Sequence, residues 1–249
     1  MEVHHHPDLH HKKKNFKEYF LEFLMIFLAV TLGFFAESLR EHIAEKNEEK
    51  DYITGLLQNI SDDTTNLKNL INDTRFEKGI DSFTMVSKDN FQSLAVQDSL
   101  YYFSLIYFRD ANDFEQNDFT IIQLRNAGGY RLIKKDHVAD SIAVYEARNN
   151  DVKGQGSFYI NAFSSRLQFF NETFDWKAAN KFIREYRSTS KIPSDIPVLI
   201  TNDKQKIGLY YNECYELAFI YQGYKNMLKN HLAYLIRFMA FLKKEYDIK

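Results

Sequence analysis

An unbroken run of apolar residues near the N-terminus constrains this chain more than any other feature of its sequence. From Phe20 to Ala36 it reads FLEFLMIFLAVTLGFFA, and Glu22 is its only charged residue. At about 1.5 Å per residue such a helix covers roughly 25 Å, which suffices to cross a bilayer once the flanking side chains snorkel. Core helices of globular domains are rarely apolar on every face. The run therefore predicts a transmembrane helix over residues 16–38.

A cleaved signal peptide is the main competing interpretation of this run. Lys12, Lys13 and Lys14 would form a suitable basic region before the apolar stretch. Cleavage, however, needs small residues at the end of the stretch, and the sequence Phe34-Phe35-Ala36 places bulky aromatic side chains there. We therefore expect an uncleaved anchor.

The distribution of basic residues predicts the orientation of the anchor. Lys12, Lys13, Lys14 and Lys17 precede the apolar run, whereas the segment Glu37–Glu41 that follows the run carries charges of both signs. Basic residues favour the cytoplasmic side, so the N-terminus should be cytoplasmic. The best candidate for a second span, Leu232–Leu242, is too short and contains Arg237. Residues 39–249 are therefore expected to form a periplasmic domain anchored in the cytoplasmic (inner) membrane.

The composition favours an all-α fold stabilised by packing alone. The chain has only 9 glycines and 3 prolines, and 16% of its residues are aromatic, a balance typical of long helices with bulky seams. Because Cys214 is the single cysteine, an intramolecular disulfide and a cysteine-built zinc site are both excluded. The net charge of -2 gives no electrostatic reason to expect a nucleic-acid partner. No motif indicates a cofactor.

Residues 1–15, MEVHHHPDLHHKKKN, have almost no apolar content and predict a disordered cytoplasmic tail. Neutral imidazoles bind zinc, nickel or copper, so the tail is a candidate metal site. Its histidines are His4, His5, His6, His10 and His11. A solvated tail that gains charge below neutral pH is the simpler interpretation.

A heptad-like pattern continues from the apolar run into the charged sequence after it. The pattern advances by alternating steps of three and four residues. Its apolar positions in the stalk are Leu39, Ile43, Ile53, Leu57, Ile60, Leu67 and Ile71. Extended backward, the same steps reach Ala36, Leu32, Ala29, Met25 and Glu22. One helix could therefore carry the span and a coiled-coil-like stalk, although Lys46 and Lys50 weaken the seam.

The remaining sequence predicts further helices that pack with the stalk. We expect helices over about 89–108, after Asp118 until the Gly128-Gly129 pair, from Asp136 to about 148, over 157–174 and over 175–186, and a long C-terminal helix over about 202–246. Asp118, Asp136 and Asn202 are the predicted N-caps of three of these helices. Residues 149–156, NNDVKGQG, predict a loop, and 188–197 a connector. Trp176 and the aromatic run at 101–108 should lie in the core, and Cys214 should be a packed, unreactive thiol.

Two features within the span are candidate functional residues. Glu22 is costly inside a bilayer but lies near the end of the run, where it could snorkel and pair with Lys17 or Lys14. Ala29 and Gly33 form a small-xxx-small pair, and Ala36 lies one turn further, so two such helices could approach closely. The shared heptad phase favours a parallel homo-oligomer, although later helices of the same chain could occupy the stalk seam instead.

The span LEFLMIFLAVTLGFFAESLREH, the charged helix after it and the segment LRNAGGYRLIKKDHVADSIAVYE resemble a group of uncharacterised Bacteroidetes single-pass membrane proteins, classed under a domain of unknown function. The resemblance covers residue 16 onward. It implies a membrane helix with an embedded Glu, a charged stalk, and a mid-chain pattern at Leu124, Gly128, Leu132, Ile133, Ile142 and Tyr145. It implies no activity.

The sequence favours a non-enzymatic, homo-oligomeric membrane-anchored scaffold or protein-interaction module with an unidentified protein partner. No nucleophile elbow, phosphate loop or paired His-Glu motif indicates an enzyme. One alternative is a ligand sensor that signals through its single span; a weaker alternative is a channel or ion-coupled subunit that uses Glu22. A sensor requires a pocket between helices with converging polar groups, whereas a scaffold requires only a packed bundle and an exposed apolar surface.

Overall fold

The computed structural model describes residues 15–86, 92–108, 111–126, 128–194 and 196–248. In these residues the chain forms α1 (Phe16–Asn72), α2 (Arg75–Val86), α3 (Leu94–Ile106), α4 (Phe119–Asn126), a 3-10 turn (Gly129–Leu132), α5 (Asp136–Thr173), α6 (Trp176–Thr189) and α7 (Lys204–Glu245). The β-pairing within them is one isolated antiparallel bridge between Phe174 and Leu199. The predicted all-α fold is confirmed.

Helix α1 is continuous over 57 residues, as the unbroken heptad phase from Glu22 to Ile71 predicts. The chain divides into two compact units, Met1–Asp51 and Tyr52–Lys249, and α1 contributes residues to both. The first unit contains the whole predicted span. The second unit, which we call the helical unit, begins at Tyr52, thirteen residues after the predicted start of the domain at position 39.

The centre of the helical unit is an antiparallel pair formed by α5 and α7. Tyr159 stacks on Tyr224 with ring centroids 5.5 Å apart, and Tyr145 stacks on Phe238 at 5.2 Å. Because the residue numbers along α7 rise as those along α5 fall, the two helices run in opposite directions. Both seams are mainly apolar or aromatic and are buried, so their burial is the main source of stability in this unit.

The predicted loop at 149–156 is wrong, because α5 continues through it without interruption. The buried positions of α5 follow the three-and-four alternation of a helix seam: Tyr145, Asn149, Val152, Gly156, Tyr159, Phe163, Arg166 and Phe170. Asn149 and Gly156 thus occupy seam positions that are normally apolar. At Gly156 a Cβ atom would lie 3.0 Å from the Tyr224 hydroxyl, so the glycine permits the close approach of α7.

The remaining helices pack around this pair and are fixed by buried polar contacts. In α1, Asn59 Oδ1 accepts a hydrogen bond from Thr120 N (3.0 Å), and Asp63 Oδ1 accepts one from Asn117 N (2.8 Å). In α3, the Tyr101 hydroxyl donates to the Asp175 carbonyl (2.6 Å). Such side-chain contacts to backbone groups tie the irregular connections to the helices.

The helix ends largely follow the predicted signals, with small shifts in position. Gly128 adopts a left-handed conformation (φ 66°) after α4, as a glycine C-terminal signal predicts. The N-cap of α7 is Asp203, whose carboxylate accepts from Gln205 N, rather than Asn202. The N-cap of α5 is Lys135, so Asp136 lies in the first turn instead of capping it. Helix α2, over residues 75–86, was not predicted.

Candidate functional site

The apolar part of α1 lies in the first unit and is not covered by the protein. Among the described residues, α1 carries the one stretch long and apolar enough to cross a membrane. Its most apolar 18-residue window has a mean hydropathy of 2.1, and none of that window is buried inside the protein. Large side chains such as Phe23, Ile26, Phe34 and Phe35 are more than half exposed. Water solvates so large an apolar surface poorly, and lipid solvates it well.

The predicted helix-packing residues Ala29, Gly33 and Ala36 are all exposed on this segment. A Cβ atom added at Gly33 would meet no other atom within 4 Å. The face that they form is therefore open for the close approach of another helix. Glu22 is also exposed and lies in the second turn of α1.

The predicted stalk seam divides into an exposed part and a buried part. Leu39 and Ile43, in the first unit, are 51% and 53% exposed. The later positions belong to the helical unit, where Ile53, Leu57, Ile60 and Leu67 are buried and Ile71 is partly buried. The chain's own helices cover these later positions, so they are not available to a second copy. A seam between copies is therefore restricted to positions up to Ile43.

The histidines proposed as metal ligands, His4, His5, His6, His10 and His11, lie outside the described residues. In the described part of the chain, no group of three or more His, Cys, Asp or Glu side chains is arranged to hold a metal ion.

A cleft of about 320 Å³ opens between α3, α5 and α6 of the helical unit. Its apolar walls are Leu105, Phe108, Leu167, Phe170, Trp176, Ala179 and Ile183, and its polar groups are Ser104, Arg166 and Asn180. Three helices thus bring a cation, a hydroxyl and an amide into one mostly apolar cleft, and its volume is near the lower end of that of small-molecule sites. We call this cavity the Arg166 cleft.

Arg166 is 1% exposed, and its guanidinium has only neutral hydrogen-bond partners among the described residues. Nη2 donates to the Phe108 carbonyl, and Nη1 donates to the Tyr210 hydroxyl at 3.3 Å. Nε is buried and has no hydrogen-bond partner in the described part of the chain. The ring of Phe163 lies 4.9 Å from the guanidinium carbon and gives a cation-π contact. No carboxylate in the described residues pairs with this charge.

The groups behind Arg166 cannot supply a negative charge near neutral pH. Burial raises the pKa of the Tyr210 hydroxyl well above its usual range, and burial raises the pKa of the Cys214 thiol to about 12. Both therefore stay protonated and neutral. The Tyr210 hydroxyl also hydrogen-bonds Ser104, whose Oγ donates to the Leu100 carbonyl at 2.8 Å. Cys214 is the packed thiol expected from the sequence, with a raised pKa that makes it unreactive.

Trp176 is not a core residue, contrary to the sequence prediction. It is 52% exposed at the first turn of α6, and its indole Nε1 donates to Asn171 Oδ1 at 2.5 Å. The ring lies 4.9 Å from that of Phe170 and forms part of the cleft wall. The Asp175 N-cap, which accepts from Lys177 N, fixes the start of α6 and so places the indole there.

Asp63, His231 and Lys225 are also buried, and none of them lines this cleft. Burial raises the pKa of Asp63 to about 7, and burial together with the charge of Arg148 lowers the pKa of His231 to about 4. Lys225 is buried and forms an ion pair with Glu77, so its charge is compensated within the chain. Arg166 differs from Lys225 in lacking such a partner among the described residues.

The mid-chain residues named by the resemblance lie in the packed core of the helical unit or in a turn. Leu124, Ile133, Ile142 and Tyr145 are buried, and Leu132 is partly buried. Gly128 supplies the left-handed turn described above. These residues pack the helical unit and do not line the Arg166 cleft.

Comparisons with protein-family models, curated proteins and solved structures found no match for this chain. The geometry described above is therefore the basis for any functional assignment.

Proposed function

We propose that the chain is a non-enzymatic, membrane-anchored module that self-associates through the N-terminal part of α1. The observation that carries this proposal is the apolar window of α1, none of which is buried by the part of the chain that the structure describes. Lipid is the partner that its chemistry fits, because every face is apolar. The orientation follows from the lysines that precede the window, which favour a cytoplasmic N-terminus, an inner-membrane anchor and a periplasmic helical unit.

Self-association is supported by the exposed face of Ala29, Gly33 and Ala36, and by the exposed seam positions Leu39 and Ile43 that continue it. Ala29, Ala36, Leu39 and Ile43 share one phase of the heptad pattern, and Gly33 lies next to it on the same side of the helix, so two parallel helices could bury all of them at once. The helical unit would then be held beside a second copy and would present its surface to an unidentified protein partner. The resemblance to uncharacterised Bacteroidetes single-pass membrane proteins fits the same proposal and adds no activity.

The test is the mass of the full chain extracted in detergent, for the natural protein and for two variants. Gly33→Leu places a bulky side chain on the small-residue face, whereas Thr31→Leu places the same side chain on the opposite face at 3.6 residues per turn. We expect a multiple of the 29.5 kDa chain mass for the natural protein and Thr31→Leu, and a shift toward monomer for Gly33→Leu. A monomer in all three samples would contradict self-association.

A second candidate function, a periplasmic ligand sensor, is favoured by the Arg166 cleft. A sensor requires a pocket between helices in which polar groups converge, and this cleft meets that requirement. A channel that uses Glu22 would need several copies around a pore, since α1 is the one candidate span in the described residues. No observation in those residues favours the channel.

A further inference from the structure

We propose that the Arg166 cleft binds a small organic carboxylate, with the carboxylate on the guanidinium and an apolar body against the aromatic and aliphatic walls. The proposal names a ligand class for the sensor candidate and depends on that function only for its biological meaning. Binding can be measured whether or not the chain signals, and whether or not it spans a membrane.

Arg166 is a buried cation with no carboxylate partner among the described residues. Transfer of an isolated cation from water to a protein interior is costly, and buried arginines are normally paired with carboxylates or phosphates. Arg166 has a carbonyl, a protonated tyrosine and a protonated thiol around it, and its Nε has no partner among the described residues. An anion in the cleft, which Arg166 lines, would place a negative charge beside the guanidinium.

The chemistry of the cleft walls favours an organic acid over an inorganic anion. Seven of the ten residues that line the cleft are apolar, including Phe170 and Trp176. A phosphate or sulfate ion would leave those surfaces against water and would need several polar partners. A carboxylate with a compact hydrocarbon body satisfies both the cation and the walls. Ser104 is already engaged with Leu100 and Tyr210, so Arg166 is the main polar determinant.

The Arg166 cleft is open to solvent, so a ligand can reach it. Leu167 and Asn180 are exposed at the cleft, and Trp176 is half exposed at its wall, so the cavity opens to solvent between α5 and α6. Because the chain has a single tryptophan, the fluorescence of Trp176 reports on this cleft alone. The natural protein thus carries its own binding probe.

The experiment is a fluorescence titration of the full chain in detergent micelles with cyclohexanecarboxylate, whose ring does not absorb with tryptophan. The neutral cyclohexanecarboxamide and inorganic phosphate are titrated in parallel. We expect saturable binding of the carboxylate, and about tenfold or weaker affinity for the amide and for phosphate. Equal affinity for the amide would overturn the role of the charge. Equal affinity for phosphate would overturn the role of the walls.

Two variants test the placement of the site. Arg166→Lys keeps the charge but removes Nε and the planar fork, and Ala179→Leu fills the cleft without altering the arginine. Both should weaken carboxylate binding about tenfold or more. The control Arg184→Met removes an exposed arginine from α6, the helix that carries Ala179, and should leave binding unchanged. Circular dichroism confirms that each variant is folded. Unchanged binding in folded Ala179→Leu, or no saturable binding to the natural protein, would overturn the proposal.

Discussion

Asp63 is a buried carboxyl group whose proton should control how the stability of the helical unit depends on pH. Its Oδ1 accepts from Asn117 N at 2.8 Å, and its Oδ2 is buried without a hydrogen-bond partner among the described residues. Burial, and to a smaller extent the charges of Asp62 and Asp118, raise the pKa of Asp63 from 3.8 to about 7, although the Asn117 contact opposes this. Near pH 6 the folded protein therefore keeps a proton that the unfolded chain has lost.

Because the pKa is higher in the folded state, the stability that this proton provides is fully present below about pH 4 and is lost as the pH rises through 7. A rise of about 3 units corresponds to roughly 4 kcal/mol in the free energy of unfolding. Asp63→Asn keeps an oxygen that accepts from Asn117 and removes the titration. Between about pH 4 and pH 8 the variant should therefore gain roughly 4 kcal/mol relative to the natural protein.

The assay is urea unfolding of the full chain in micelles at several pH values, followed by Trp176 fluorescence. The quantity compared is the difference in unfolding free energy between the variant and the natural protein, because other titrating groups cancel in it. Asp151→Asn is the control, since Asp151 is an exposed aspartate of α5 that does not contribute to the pKa shift of Asp63. A difference that stays constant with pH, or that falls as the pH rises, would show that the buried Asp63 proton does not stabilise the folded protein.

Other substitutions should perturb the helical unit in predictable directions. Burial and the charge of Arg148 lower the pKa of His231 from 6.5 to about 4, so the stability that the neutral imidazole provides is lost as the pH falls. In urea titrations, His231→Phe should therefore lose about 3 kcal/mol less unfolding free energy on acidification than the natural protein does. Gly156→Ala should cost about 1–2 kcal/mol in thermal or urea unfolding, because its Cβ would crowd the Tyr224 hydroxyl at 3.0 Å. Gly154→Ala, where a Cβ meets nothing within 4 Å, should instead stabilise by about 0.5–1 kcal/mol.

The sequence predicted the parts of the fold that have a strong periodic signal. The apolar run and the heptad phase after it predicted the continuous helix α1, and the long pattern after residue 202 predicted α7. In both helices the repeating side chains are large and apolar, so the seam is visible in one sequence. The all-α fold could be predicted for the same reason.

The errors arose where the seam contains residues that usually break helices. The interpretation of residues 149–156 as a loop relied on their Asn and Gly content, yet Asn149, Val152 and Gly156 continue the spacing of the α5 seam. Tertiary packing overrides local propensity there, because Gly156 allows α7 to approach. The same spacing, continued to Tyr159, Phe163 and Arg166, would have placed the arginine on the buried face.

The candidate site itself could not be derived from the sequence. Arg166 is separated from Ser104 by about 60 positions, and only the packing of α3, α5 and α6 brings them to one cleft. Trp176 was assigned to the core because large aromatic residues are usually buried, whereas the N-cap of α6 holds it at the surface. The division of the seam between exposed Leu39 and buried Ile53 likewise depends on which helices cover α1.

In the proposed topology, lipid solvates the apolar part of α1 and the helical unit lies on the far side of the membrane. A compartment-sensitive reporter fused after Lys249 of the full chain, combined with an alkaline wash of the membrane fraction, tests both parts of this topology. We expect that the fusion stays intact in the washed membranes and that the reporter is active only in the periplasm. An intact fusion in the soluble fraction, or a reporter active in the cytoplasm, would contradict it.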